Sequence, residues 1–168
     1  MSDTTARSRK IREVRKLIDN FDTAMLVTES VSGDLRARPM AIAGHSEGAV
    51  LHFLTRREAG KLDELSARSR VSVVMQGRDL YLSISGFARV IDDPALTERF
   101  WSPLARLWFP EGPRDKNLVL LRVAPVYAES WDRRALRKLE FWWEAGKALV
   151  NQTRAVDQGL SGHKKLKL

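Results

Sequence analysis

Residues 24–61 read AMLVTESVSGDLRARPMAIAGHSEGAVLHFLTRREAGK. Three apolar runs are separated by two turn clusters, one at Ser32-Gly33-Asp34 and one over 44–48. The middle run alternates, so Arg36, Arg38, Met40 and Ile42 share one face of a strand over 35–43, and Leu35, Ala37, Pro39 and Ala41 share the other. Pro39 has no N–H for a ladder, which places this strand at an edge or a bulge. The third run leads into a helical pattern over 57–66 with Lys61 in its first turn. A strand that presents an arginine beside a lysine-bearing helix start can hold a phosphate, because the helix end adds free N–H groups and partial positive charge.

Working outward, residues 5–19 read as a helix with Ile11, Val14, Leu17 and Ile18 at three-to-four spacing. Strands are expected over 24–29, 50–55, 71–76 and 80–91, the third central because it is apolar almost throughout. Gly86 in the long fourth run suggests a bulge or bend. Asp93-Pro94 is a helix start, an N-cap residue followed by proline at the first helical position, and Pro103 breaks the helical stretch 94–109. Two further strands fit 117–124 and 126–131. A second long helix fits 135–152, and the closing GLSGHKKLKL reads as a solvated tail. Close-spaced short strands favour an α+β chain, mainly β with flanking helices: a split barrel of six to seven mostly antiparallel strands. No βαβ rhythm, GxGxxG or phosphate-loop pattern occurs.

Composition narrows the chemistry. The 168 residues fit one domain that buries roughly 70% of its unfolded surface. There is no cysteine, so disulfides, thiol catalysis and thiolate metal sites are excluded. His45, His52 and His163 are scattered without metal-ligand spacing, and no nucleophile-elbow motif accompanies the serines. No apolar run is long enough to cross a bilayer, and MSDTTARSRK lacks the apolar core of a signal peptide, so the expected compartment is the cytoplasm. The net charge of +8 is uneven: residues 133–168 hold nine Lys/Arg against three Asp/Glu. The division drawn from this is a barrel domain over 1–132 and a basic helix and tail over 133–168, packed on the barrel or extending from it.

Several segments together carry a family resemblance. They are Arg38-Pro39-Met40, Leu51-His52-Phe53-Leu54-Thr55 with Lys61-Leu62-Asp63-Glu64, Tyr81 to Gly86, Trp108-Phe109-Pro110-Glu111-Gly112, and Asn117 to Leu121 with Trp131-Asp132. In order and spacing the chain resembles the general stress protein branch of the pyridoxamine 5'-phosphate oxidase-like, FMN-binding split barrels. The resemblance implies a homodimer with two flavin sites at the subunit interface. It implies that Arg38 and Lys61 reach the FMN phosphate, with Pro39 and Met40 completing the first motif. Phe53, Leu54 and Thr55 would lie along the ring and phosphate chain, and Trp108 and Trp131 near the ring. FAD is the alternative to FMN, and a nicotinamide donor the electron source if the protein turns substrate over.

Two departures bear on activity. The true oxidase has a substrate-phosphate lysine five residues after its motif arginine, where this chain has Ala43, and it ends in an Arg- and His-bearing segment replaced here by lysines. Both argue against pyridoxine-phosphate oxidation and leave flavin binding intact. Competing readings stand beside this one: Arg38 in a surface ion pair, Lys61 on a helix surface, the two tryptophans as packing residues. At the level of function the alternative is a non-catalytic flavin carrier, or a binding module that lays its basic C-terminal helix, with Trp142-Trp143, on nucleic acid or an acidic surface. The charge distribution makes nucleic acid the weaker choice.

Overall fold

The computed structural model describes residues 2–133 and 163–167. Helix α1 (Ser2–Ile18) leads into strands β1 (Thr23–Glu29) and β2 (Leu35–Ala41), then β3 (Gly44–Ser46) and β4 (Val50–Arg56). Helix α2 (Gly60–Ala67) precedes β5 (Arg70–Gln76) and β6 (Leu80–Ile91). A six-residue helix α3 (Pro94–Arg99) and two 3-10 turns, Pro103–Leu107 and Gly112–Arg114, cross to β7 (Leu118–Asp132), and β8 (His163–Lys167) follows.

All pairings are antiparallel, in the order β2-β1-β5-β6-β7-β4-β3, with β8 beside β7. The sheet curls into the α+β split barrel that the strand spacing predicts. β2 is an edge strand, which accommodates Pro39, and β5 is interior, as its apolar run requires. One side of each strand faces the core: Ala24 and Leu26 of β1, Leu51 and Phe53 of β4, Val73 and Met75 of β5, Leu82 and Ile84 of β6. Val14 and Ile18 of α1 are sealed against this core, which is why that stripe recurs at three-to-four spacing. A smaller cluster of Ala105, Phe109 and Leu118, with Leu54 and Trp101 against it, covers the outer face of β4 and β7.

The strand β7 does the most to shape the barrel. Residues 118–123 pair with β4, and residues 127–131 pair with β8 on the same edge, while β6 runs along the other edge throughout. The exchange happens where the β6 ladder slips at Ser85/Gly86. A Cβ on Gly86 would stand 2.1 Å from the Ala124 carbonyl oxygen, so only glycine fits the close approach.

Several expectations change. The two strands expected over 117–124 and 126–131 are one strand, because the bulge absorbs the break. The turn expected over 44–48 contains the short strand β3. The helix expected over 57–66 starts three residues later, at Gly60. The tail expected to be solvated carries β8, whose Leu166 is 5% exposed and belongs to the core. The lone leucine within HKKLK was the available signal, and the charge of the segment masked it. The helix expected over 135–152 lies outside the described residues. Among the described residues no helix is long and apolar enough to cross a membrane.

Candidate functional site

The hairpin of β1 and β2 sets Leu26 opposite Arg38 and Thr28 opposite Arg36. Its loop is closed by Ser30 N–H donating to the Asp34 carbonyl at 2.8 Å, and Gly33 takes φ +93°. The hairpin therefore delivers two arginines and a threonine hydroxyl to one end of the barrel. Helix α2 supplies the rest. Lys61 and Glu64 are three residues apart and share a side of the helix, while Leu62 and Leu65 anchor it in the core.

At the centre is the carboxylate of Glu64, whose side chain is 7% exposed. Arg38 Nη2 donates to both its oxygens, at 2.7 and 2.8 Å. Arg38 Nη1 donates to Thr28 Oγ1 at 2.7 Å, and that hydroxyl donates onward to Glu64 Oε2 at 2.5 Å. Arg36 Nη1 adds a contact to Oε1 at 3.1 Å. The bonds from Arg38 and Thr28 hold the Glu64 pKa down at about 2, overriding the burial that pushes it up. Lys61 is half-buried. Burial lowers its pKa, and repulsion from the Arg38 guanidinium lowers it further, so the two cations lie within electrostatic reach of each other.

Other residues singled out in the sequence are placed as follows. Pro39 is exposed on the edge strand and Met40 is buried beneath it. Phe53 has its side chain wholly inside the barrel, Thr55 is buried at the end of β4 and Leu54 faces the outer cluster. Trp108 is 55% exposed, and its carbonyl accepts from Arg56 Nη2 at 3.0 Å, which fixes it beside the end of β4. Trp131 pairs with Tyr81. The register runs from Arg38 through Leu26, Val73 and Ile84 to Ala128, so within one chain Trp131 lies four strands across and three residues further along β7. Thr28 and Glu64 are site residues that the sequence reading did not single out. The i, i+3 spacing of Glu64 from Lys61 is the signal that points to it.

Two arginines from an edge strand thus hold one buried carboxylate, and Lys61 at the helix start lies within electrostatic reach of Arg38, so the three cations outnumber Glu64 by two charges. Arg38 Nε–H and one Nη1–H have no partner among the described residues, and its side chain is 27% exposed. A split barrel with a cationic, partly exposed end is a fold and site suited to an anionic cofactor.

Comparison with known proteins agrees with that class. Residues 9–157 match the family described as pyridoxamine 5'-phosphate oxidase like, and the chain belongs to it. It is 27% identical over 119 residues to general stress protein 26 of Bacillus subtilis, covering 68% of this chain and 82% of that protein. It is 28% identical over 131 residues to protein bli-3 of Neurospora crassa, covering 71% of this chain but only 63% of the longer relative. Among solved structures, the general stress FMN/FAD binding protein of Xanthomonas citri superposes with a TM-score of 0.62 at 26% identity, covering 92% of this chain and 99% of that one.

Proposed function

We infer that this chain is a flavin-binding redox protein of the general stress type, with FMN as the cofactor and FAD as the alternative. The observation that carries the reading is the convergence of Arg38 and Lys61 at the N-terminal turn of α2, beside a buried carboxylate that leaves the cluster two charges positive. A phosphate monoester carries about −1.5 to −2 charges at neutral pH, which matches that excess. The uncommitted N–H groups of Arg38 are the donors a phosphate oxygen would take, and Lys61 would act as a point charge. Likeness to the FMN/FAD binding protein of Xanthomonas citri supports a flavin rather than another phosphorylated ligand.

When bound, the flavin ring supplies the electron or hydride transfer, with a nicotinamide as the proposed donor. The chain's own residues bind and orient. Arg38 and Lys61 hold the phosphate, the exposed edge at Pro39 lets a ligand approach the backbone, and Leu54 and Thr55 present main chain along it. Trp131, remote within one chain, would reach a flavin only across a dimer, so the reading includes a homodimer with the sites between subunits. Without the lysine lost at Ala43, pyridoxine-phosphate oxidation is not the proposed activity.

The test is the visible spectrum of the purified full chain, followed by FMN titration of the flavin-free protein. Saturable binding of FMN is expected, weakened at least tenfold in Arg38→Ala, a loss of about 1.4 kcal/mol or more. A colourless protein that fails to bind added flavin would sink the proposal. Unchanged affinity in a folded Arg38→Ala variant would remove Arg38 from the site.

A further inference from the structure

We propose that the cleft between α1, β3 and α3 binds a second phosphate-bearing small molecule, through Arg15, Arg99, His45 and Ser46. The cleft has a volume of about 540 Å³ and is lined by those residues and Glu47. That volume falls within the range of small-molecule sites, roughly 300–1,000 Å³. None of its residues belongs to the Arg38–Lys61 cluster.

Its polar groups are already aligned. Arg15 Nε donates to His45 Nδ1 at 3.3 Å, and His45 Nε2 lies 2.7 Å from Asp19 Oδ1. These contacts place the His45 proton on Nε2 and commit Asp19 to the imidazole. Both Nη groups of Arg15 are left without a partner among the described residues. Arg99 has no carboxylate partner there either; its guanidinium rests 5.8 Å from the Phe100 ring centroid. Two forked cations on different helices therefore line one opening with a serine hydroxyl and a single carboxylate, Glu47. Arginine forks match the oxygens of a phosphate two at a time.

The wall behind the cleft gives an independent sign. Ser46 Oγ is 3.0 Å from His52 Nε2, and the His52 ring stacks on Phe100 with centroids 4.0 Å apart. A Cβ on Gly44 would come within 3.0 Å of that Phe100 ring, so the packing is close. His52 is 4% exposed, and its Nδ1 is a buried polar atom with no partner among the described residues. Burial, with Arg122, Arg99 and His45 around it, lowers its pKa to about 4. A buried imidazole with one nitrogen unpartnered, set among arginines, is an arrangement that a bound dianion would relieve.

Inorganic phosphate is the probe, titrated into the full chain at constant ionic strength while the ring signals of His45 and His52 are followed by NMR. Saturable shifts are expected, with the His52 pKa rising by at least half a unit at saturation. Arg99→Gln and Arg15→Gln should each weaken binding at least fivefold, and Arg38→Ala should leave it unchanged. Linear shifts that chloride reproduces would overturn the proposal, as would saturation surviving in the double Arg15→Gln/Arg99→Gln variant. Loss of the shifts in Arg38→Ala would assign the phosphate to the other cluster and overturn it too. If Arg15→Gln fails to fold, Arg99→Gln, on the exposed side of α3, carries the test.

Discussion

A carboxylate with both oxygens on one guanidinium and a threonine hydroxyl at 2.5 Å stays ionised far into acid. Its folded pKa is about 2 against an ordinary value of 4.5. Because the folded value is the lower one, the stabilisation is complete above about pH 4.5 and is lost as pH falls through about 2. Glu64→Gln should therefore flatten the dependence of stability on pH between those limits, as read from urea midpoints. An unchanged acid slope would show that Glu64 does not set it. At neutral pH, breaking the pair from either side should destabilise by about 3 kcal/mol, the low end for buried pairs because Arg38 keeps 27% exposure. Arg38 was legible in the sequence through its motif and its place on an alternating strand. Its pairing with Glu64 was not, because the two sit 26 residues apart and only the hairpin-to-helix packing brings them together.

At the scale of elements, β6 and β7 cross where residue 86 must be glycine. Gly86→Ala would set a methyl 2.1 Å from a carbonyl oxygen, and backbone rather than a side chain would have to yield. A loss of about 3 kcal/mol or more is expected in thermal or urea unfolding. A change below about 0.5 kcal/mol, the usual range for surface substitutions, would contradict this reading of the bulge. β8 makes the complementary case. Leu166 lies in the core, so Leu166→Ala should cost about 2–3 kcal/mol; a neutral result would return the segment to the solvated tail that its composition suggests. The sequence exposed the bulge because a lone glycine interrupts a long alternating run. It concealed β8 because one leucine among three lysines and a histidine is too little apolar signal to outweigh the charge.

For the molecule as a whole, the 3-10 turn after α3 carries Leu104, Leu107 and Trp108 at 72, 76 and 55% exposure. Three adjacent large apolar side chains facing water mark an interaction surface. If they form part of the proposed dimer interface, sedimentation should give about twice the chain mass of 19.1 kDa, and Leu104→Asp/Leu107→Asp should halve it. A wild-type monomer at micromolar concentration would rule out flavin sites shared between subunits. The edge or bulge that Pro39 imposes on β2, the helix start at Asp93 and the stripe of α1 were determined by the sequence alone, because each rests on local periodicity or on the backbone limits of proline and glycine. The tertiary structure decided which charges meet: Glu64 on Arg38, His52 shut behind Ser46 and Phe100, β8 on the free edge of β7. Those contacts join residues far apart in the chain, and their energies depend on burial and register, which no single stretch of sequence contains.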